Sequence, residues 1–211
     1  MDFSNTTLRK ILMSIFIKVV FRITVLPQTK PIVSIENVVA SATVDQKMDL
    51  NAITKIFPDV EYHPDQFPGL VFRIKSPKTA TLIFTSGKMV CTGAKSEQMS
   101  RNAVKTVVTK LRQGGIKVKK DAVVTIQNIV ASINLGGRIH LEQAARTLPR
   151  SMYEPEQFPG LIHRMLDPKT VILLFSSGKL VCTGAKKEDD VYRSVNNLHA
   201  SLEEKELMKY D

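Results

Sequence analysis

The five residues Gln66-Phe67-Pro68-Gly69-Leu70 occur a second time as Gln157-Phe158-Pro159-Gly160-Leu161. A longer stretch, Val90-Cys91-Thr92-Gly93-Ala94-Lys95, recurs as Val181-Cys182-Thr183-Gly184-Ala185-Lys186. Both recurrences have an offset of 91 residues, and 33 of the 79 pairs aligned from Val33/Val124 to Leu111/Leu202 are identical without an insertion or deletion. A period this long that occurs only twice predicts two copies of one half-domain, related by an approximate two-fold axis.

The hydrophobic pattern within the first copy changes between the period of a strand and the period of a helix. Strands are predicted at residues 31–44, 69–74, 79–85 and 89–92, and helices at residues 50–57 and 97–113. Pro58 ends the short helix and Gly114-Gly115 ends the long one. The apolar stripes of the two long helices are Val104, Val107, Val108 and Leu111 in the first copy and Val191, Val195, Leu198 and Leu202 in the second.

This order of elements predicts an α+β fold in which two pseudo-symmetric repeats form one antiparallel sheet with helices on a single face. The predicted divisions are an N-terminal extension at residues 1–30, a first repeat at 31–120 and a second repeat at 121–211. Residues 11–21 of the extension are mostly apolar, but Lys18 and Arg22 interrupt the run, so a membrane-spanning helix is not expected. The extension is either an appendage to the fold or the result of an upstream start codon.

The face of the sheet without helices is predicted to be apolar. Side chains two residues apart share a face of a strand. If Ile83 and Cys91 face the helices, the opposite face carries Leu82, Phe84, Val90 and Thr92, with Leu173, Phe175, Val181 and Thr183 in the second copy. An open apolar face on a water-soluble fold indicates an interaction surface.

Composition narrows the class of partner. Thirty Lys and Arg against twenty Asp and Glu give a net charge of +10 and a pI near 9.6, which favours a polyanion such as nucleic acid or an anionic membrane. Cys91 and Cys182 are too few for a disulfide framework or a zinc site, and they are expected to be small buried hydrophobic residues in a reducing compartment. No nucleophile, base and orienting group recur together, so neither an enzyme nor a cofactor is expected.

Three motifs carry a resemblance to a known family. They are Ile35-Glu36-Asn37-Val38-Val39-Ala40 with its counterpart Ile126-Gln127-Asn128-Ile129-Val130-Ala131, the two Phe-Pro-Gly-Leu blocks, and the two Phe-x-Ser-Gly-Lys-x-Val-Cys-Thr-Gly-Ala-Lys blocks. Over about residues 31–205 the chain resembles the TATA-box-binding proteins, and Pro-Gly in both copies is similar to the archaeal members. The resemblance implies a saddle-shaped sheet that binds the minor groove of a promoter's TATA box, bends the DNA and nucleates a preinitiation complex.

The resemblance also implies roles for individual residues. The residues expected to intercalate between base pairs are Phe67, Phe84, Phe158 and Phe175. The residues expected in the minor groove are Asn37, Val39, Leu82, Val90, Thr92, Asn128, Val130, Leu173, Val181 and Thr183. The expected phosphate contacts are Arg73, Lys88, Lys95, Arg164, Lys179 and Lys186. The expected docking site for transcription factor B comprises Glu154, Glu156, Leu166, Asp167, Pro168 and Lys169, at the more acidic end.

The expected partners are therefore double-stranded DNA, transcription factor B and RNA polymerase, with no membrane partner. A homodimer in the absence of DNA is left open. The expected location is the cytoplasm, on the nucleoid, in an archaeon, or the nucleus in a eukaryote. Two other interpretations of the same sheet remain, a DNA-repair domain of the glycosylase kind and a module that binds another protein.

Overall fold

Two twelve-residue strands, Ile32–Thr43 and Val123–Asn134, lie side by side at the centre of a nine-stranded antiparallel sheet. A computed structural model describes residues 30–210. The apolar run at residues 11–21 lies outside the described residues. The strands are β1 (Ile32–Thr43), β2 (Leu70–Lys75), β3 (Lys78–Ile83), β4 (Lys88–Ala94), β5 (Val123–Asn134), β6 (Arg138–Ile139), β7 (Ser151–Met152), β8 (Leu161–Arg164), β9 (Val171–Leu174), β10 (Lys179–Ala185) and β11 (Met208–Lys209). The helices are α1 (Leu50–Ile56), α2 (Glu97–Gln113), α3 (Leu141–Thr147) and α4 (Glu188–Glu204).

The strand order of the large sheet reflects the repeat. It runs β2-β3-β4-β1-β5-β10-β9-β8-β7, so each copy contributes a block of antiparallel strands on its own side of the β1–β5 seam. Across that seam Asn37 pairs with Val130, and Val39 pairs with Asn128. These two pairs exchange when each residue is replaced by its counterpart 91 positions away. The approximate two-fold axis therefore passes between β1 and β5.

The helices cover one face of this sheet. Ile83 and Cys91 are fully buried on that face, as the alternation predicts, whereas Leu82 and Val90 are only half-buried on the other. The predicted stripes of α2 and α4 are buried in the core. These observations confirm the predicted fold, an α+β structure in which two repeats form one curved, saddle-like antiparallel sheet with helices on its convex face.

Three very short strands are absent from the sequence prediction. β6, β7 and β11 have two residues each, which is too few for an alternating pattern to be recognised. β11 pairs with β6 in a separate two-stranded sheet, where Met208 lies opposite Ile139. Over residues 30–210 no helix is both long and apolar enough to cross a membrane.

Candidate nucleic-acid interface

Two pairs of phenylalanines lie at opposite ends of the large sheet, and the two pairs have the same geometry. The rings of Phe67 and Phe84 meet edge to face, with centroids 5.9 Å apart and an interplanar angle of 66°. The rings of Phe158 and Phe175 are also 5.9 Å apart, at 67°. Phe67 is 40% exposed although it is a large apolar residue. The structure therefore brings together, two by two, the four phenylalanines that the sequence singled out.

A glycine beside each pair allows the rings to approach. A Cβ atom added to Gly69 would lie 2.6 Å from Cε1 of Phe67 and 3.0 Å from Cε1 of Phe84. A Cβ on Gly160 would meet Phe158 and Phe175 at the same two distances. Both glycines are buried, so a side chain there would displace a ring. From the sequence, these glycines were recognisable only as part of the Phe-Pro-Gly-Leu motif. The need for a residue without a Cβ atom depends on the positions of the two rings in the folded protein.

The central asparagines are held by the adjoining strand. Oδ1 of Asn37 accepts a hydrogen bond of 2.7 Å from the backbone N–H of Gly93, and its Nδ2 lies 3.1 Å from the hydroxyl of Thr92. The amide is thus oriented with its oxygen toward the protein. The Nδ2 group carries two hydrogens, so one donor remains for an acceptor outside the protein.

The second repeat reproduces this arrangement. Oδ1 of Asn128 accepts a 2.7 Å hydrogen bond from the N–H of Gly184, and Nδ2 lies 3.2 Å from the Thr183 hydroxyl. The open face therefore presents two oriented amide donors on either side of the β1–β5 seam.

Half-buried apolar residues form the rest of this face. Cross-strand pairing places Leu82 opposite Val90, and Leu173 opposite Val181. Val39 and Val130 sit at the seam through their pairing with the two asparagines. All ten residues predicted to contact the groove have the intermediate exposure expected of an uncovered sheet face.

The six predicted phosphate contacts are exposed, but two of them already have a carboxylate partner. Arg73 makes a bidentate ion pair with Glu61, with Nε–Oε1 and Nη2–Oε2 distances of 3.0 and 3.2 Å. Nζ of Lys95 lies 2.8 Å from Oε2 of Glu36. The other four, Lys88, Arg164, Lys179 and Lys186, have no ion pair within the described residues.

These ion pairs shift the pKa values of their members. Hydrogen bonding and charge attraction from Arg73 lower the pKa of Glu61, and Glu61 in turn raises the pKa of Arg73. Hydrogen bonds from Lys95 and from the Ser132 hydroxyl lower the pKa of Glu36. Both carboxylates are therefore ionised at neutral pH. Sequence reasoning identified neither, because their partners are distant along the chain or across the sheet.

The predicted docking site for a second protein is mostly exposed. Glu154 and Glu156 are both exposed, and Leu166 is 65% exposed. Asp167 is exposed and lies 3.3 Å from Nη2 of Arg193. Pro168 is buried, so this residue supports the turn and does not offer a surface to a partner.

Both cysteines are buried, as the sequence predicts. Burial raises the pKa of the Cys91 thiol, and it raises that of Cys182 to about 11, so neither is a reactive thiolate at neutral pH. Among residues 30–210 no three His, Cys, Asp or Glu side chains are grouped so that they could hold a metal ion.

Comparison with known proteins assigns the family. The family model described as transcription factor TFIID, or TATA-binding protein, matches residues 32–114 and again residues 123–205. The chain belongs to the TATA-binding protein family. The two matched segments of the TATA-binding protein model begin and end 91 residues apart, which is the offset of the internal repeat.

Individual members of the TATA-binding protein family are similar over most of their length. The TATA-box-binding protein of Pyrodictium occultum is 55% identical over 175 residues, which cover 83% of this chain and 88% of that protein. The TATA-box-binding protein of Sulfolobus acidocaldarius is 52% identical over 180 residues, covering 85% and 91%. The solved structure of the TATA-binding protein of Methanococcus jannaschii matches with a TM-score of 0.74 and 44% identity, covering 82% of this chain and 98% of that one.

Proposed function

We propose that this chain is a general transcription initiation factor that binds a TATA box through the minor groove and bends it. One observation carries the proposal. Two phenylalanine pairs of matching geometry flank an open, uncharged sheet face, with ring centroids 5.9 Å apart in each pair. The relatives named TATA-box-binding proteins, which are similar over more than four-fifths of this chain, support it.

The chemistry of the open face suits A·T base pairs. In the minor groove A·T and T·A present only acceptors, whereas G·C adds a protruding amine donor. The valines and leucines of the face would leave that amine without a partner, which disfavours G·C. The remaining Nδ2 hydrogens of Asn37 and Asn128 match the acceptors of A·T steps at the centre of the site.

The phenylalanines can offset the cost of unstacking. Separating a base step costs a few kcal/mol, and insertion of apolar wedges at such steps is a property for which the TATA-binding proteins are known. Burying a phenylalanine removes roughly 150 to 250 Å² from water. At about 25 cal/mol per Å² this contributes roughly 4 to 6 kcal/mol, so a pair can offset the cost even when each ring is only half covered.

The complex with DNA would then recruit transcription factor B and, through it, RNA polymerase. The acidic end of the second repeat, with Glu154, Glu156 and the exposed Leu166, is proposed as the docking site for transcription factor B, which leads to RNA polymerase. Charge complementarity would steer a basic partner to this end. The similarity to archaeal relatives supports action in an archaeal cell, where the protein would be located in the cytoplasm, on the nucleoid.

A gel-shift comparison tests the proposal against the two other interpretations. The chain is titrated against an A·T-rich duplex and a G·C-rich duplex of equal length and equal salt. Discrimination of about 1 to 3 kcal/mol for each replaced base pair predicts at least a hundredfold preference for the A·T-rich duplex. Equal affinity for the two duplexes, or no binding to either, would contradict the proposal.

A further inference from the structure

The cations at the rim of the open face have counterparts in the two repeats, but their contacts with carboxylates differ. Arg73 and Lys95 of the first repeat correspond to Arg164 and Lys186 of the second. In the first repeat both cations contact a carboxylate, and in the second neither does within the described residues. A single substitution in each case accounts for the difference.

The first substitution lies at the edge of the sheet. Glu61 bridges to Val71, two residues before Arg73, and from there its carboxylate holds the guanidinium in the bidentate pair. The corresponding residue of the second repeat is Met152, which pairs with Ile162 in the same register relative to Arg164. A thioether replaces the carboxylate, and within residues 30–210 the guanidinium of Arg164 has no ion pair.

The second substitution lies at the seam between the repeats. Glu36 receives a 2.6 Å hydrogen bond from the hydroxyl of Ser132 and directs its other oxygen to Lys95. Its counterpart Gln127 donates a 2.7 Å hydrogen bond to the hydroxyl of Ser41, the counterpart of Ser132. The serine contact is thus kept in both repeats, while the negative charge beside the lysine is present only in the first.

The Glu36–Lys95 pair and the Arg73 member of the other pair border the same groove as the expected base-contacting residues of the first repeat. This groove has a volume of about 790 Å³, and its lining includes Glu36, Arg73 and Lys95 together with Asn37 and Thr92. A phosphate that approaches Arg73 or Lys95 from the groove therefore meets a cation that an ionised carboxylate already contacts. It must displace that carboxylate or share the cation with it.

The remaining rim cations do not cancel this difference. Lys88 and Lys179 are matched and both exposed. Lys75 is matched by Leu166, but Ser96 is matched by Lys187, so each repeat has one cation that the other lacks. The second repeat has its own extra carboxylate in Asp167, the counterpart of Ser76, but Asp167 contacts Arg193 and not one of the expected phosphate-binding cations. Among the described residues, carboxylates that contact those cations are therefore found in the first repeat.

We propose that Glu36 and Glu61 weaken the phosphate contacts of the first repeat, so that the second repeat supplies the larger share of the salt-dependent affinity for DNA. The inference rests on the proposed DNA-binding function of the open face. Exposed ion pairs of this kind contribute little to stability, so phosphates can open them. The free energy needed to open each ion pair nevertheless reduces the gain from the phosphate contact that replaces it. The half of the duplex bound by the first repeat therefore releases fewer counterions in net terms.

Exchanging residues between the repeats tests the proposal. The variant E36Q/E61M gives the first repeat the residues of the second, and Q127E/M152E does the reverse. Binding of each to a labelled A·T-rich duplex is measured by fluorescence anisotropy over a series of KCl concentrations. Each phosphate contact contributes about 0.9 to the slope of log K against log salt, so E36Q/E61M should steepen the slope by up to about 1.8. Q127E/M152E should make the slope shallower by a similar amount.

Affinity at low salt should change in parallel, by about twofold to fivefold for each pair. The matched control is Glu142→Gln/Glu204→Gln, which removes two exposed carboxylates from helices α3 and α4 and so changes the net charge equally. The proposal predicts a smaller change of slope for this control than for E36Q/E61M. Equal changes in the two variants would show a net-charge effect and overturn it.

The outcomes separate this inference from the function on which it rests. If the unaltered chain prefers the A·T-rich duplex but neither exchange changes the slope, the inference is wrong and the function stands. If the unaltered chain does not bind the duplex, both are wrong. All four exchanged side chains are at least partly exposed, so circular dichroism should show an unchanged fold.

Discussion

Glu97 and Glu188, the first residues of helices α2 and α4, cap each other across the boundary between the repeats. The carboxylate of Glu188 accepts a 2.7 Å hydrogen bond from the backbone N–H of Glu97, and that of Glu97 accepts a 2.8 Å bond from the N–H of Glu188. The first N–H groups of a helix have no partner within the helix, and a negative charge there also interacts favourably with the helix dipole. The reciprocal contact therefore stabilises both helix starts and joins the repeats.

The double variant Glu97→Ala/Glu188→Ala should lower the free energy of unfolding. Loss of a cap costs about 0.5 to 2 kcal/mol, so the two together should cost about 1 to 4 kcal/mol. Urea denaturation followed by circular dichroism measures this. Glu204→Ala, at the exposed C-terminal end of α4, serves as the control and should not destabilise the fold. A double variant as stable as this control would contradict the capping role.

Among the described residues, the buried hydroxyls of Thr81 and Ser100 in the first repeat have no oxygen or nitrogen atom as a hydrogen-bond partner. Their polar neighbour is the Cys91 thiol, a weak partner. The second repeat has Ile172 and Val191 at these positions. Thr81→Val with Ser100→Ala should therefore raise the free energy of unfolding by about 1 to 2 kcal/mol, because an unpaired buried hydroxyl costs about 1 to 3 kcal/mol.

A Thr→Val substitution at a hydrogen-bonded hydroxyl of the second repeat should change the free energy of unfolding in the opposite direction. Thr170 and Ser194 are buried there and hydrogen-bonded to each other at 2.9 Å. Thr170→Val removes one partner and should lower the free energy of unfolding by about 1 kcal/mol. Changes of the same sign in the two repeats would contradict this account of the hydroxyls.

His163 should make stability depend on pH in the acid range. It is 8% exposed, its Nδ1 lies 3.0 Å from the Ser151 hydroxyl, and burial lowers its pKa below the usual value. The unfolded chain therefore binds a proton at His163 more readily than the folded one. The contribution of neutral His163 to the free energy of unfolding is fully present above about pH 6.5, and it is lost as the pH falls below that value.

The repeat supplies the comparison for this histidine, because Phe72 occupies its position in the first copy. His163→Phe should reduce the loss of stability between pH 7 and pH 5, measured by thermal unfolding at several pH values. His63→Gln, at an exposed position, is the histidine control for this measurement. If the His163→Phe profile paralleled that of the unaltered chain, another group would be responsible.

The acidic end of the second repeat should be needed for a ternary complex but not for binding to DNA. Glu154→Arg/Glu156→Arg should bind the A·T-rich duplex at least as tightly as the unaltered chain, because both reversals add positive charge, and it should lose at least about tenfold in affinity for transcription factor B on that duplex. Sequential gel shifts measure both. Glu142→Arg/Glu204→Arg, which reverses two exposed charges on helices α3 and α4, is the charge-matched control. A ternary complex of undiminished affinity would show that the partner docks elsewhere.

The repeat made most of the fold predictable. Because two copies had to obey one pattern, the long helices and the faces of Ile83 and Leu82 followed from periodicity, and the structure confirms them. The pairs Glu61–Arg73 and Glu36–Lys95 did not follow, because they join residues 12 and 59 positions apart that meet only in the folded sheet. The same holds for Gly69, whose missing side chain matters only where two rings converge.

The bend of the bound duplex tests the central claim most directly. Energy transfer between dyes at the two ends of an A·T-rich duplex is measured with the unaltered chain, with Phe84→Ala/Phe175→Ala, and with Phe57→Leu as a control. The rings of Phe57 and Phe72 have centroids 5.3 Å apart, and Phe57 is not among the open-face phenylalanines. The Phe57→Leu variant should therefore still bend the DNA. The unaltered chain should shorten the end-to-end distance, and the double variant should keep its circular dichroism spectrum yet lose most of the shortening. Unchanged shortening with the double variant would contradict the assignment of these phenylalanines as wedges.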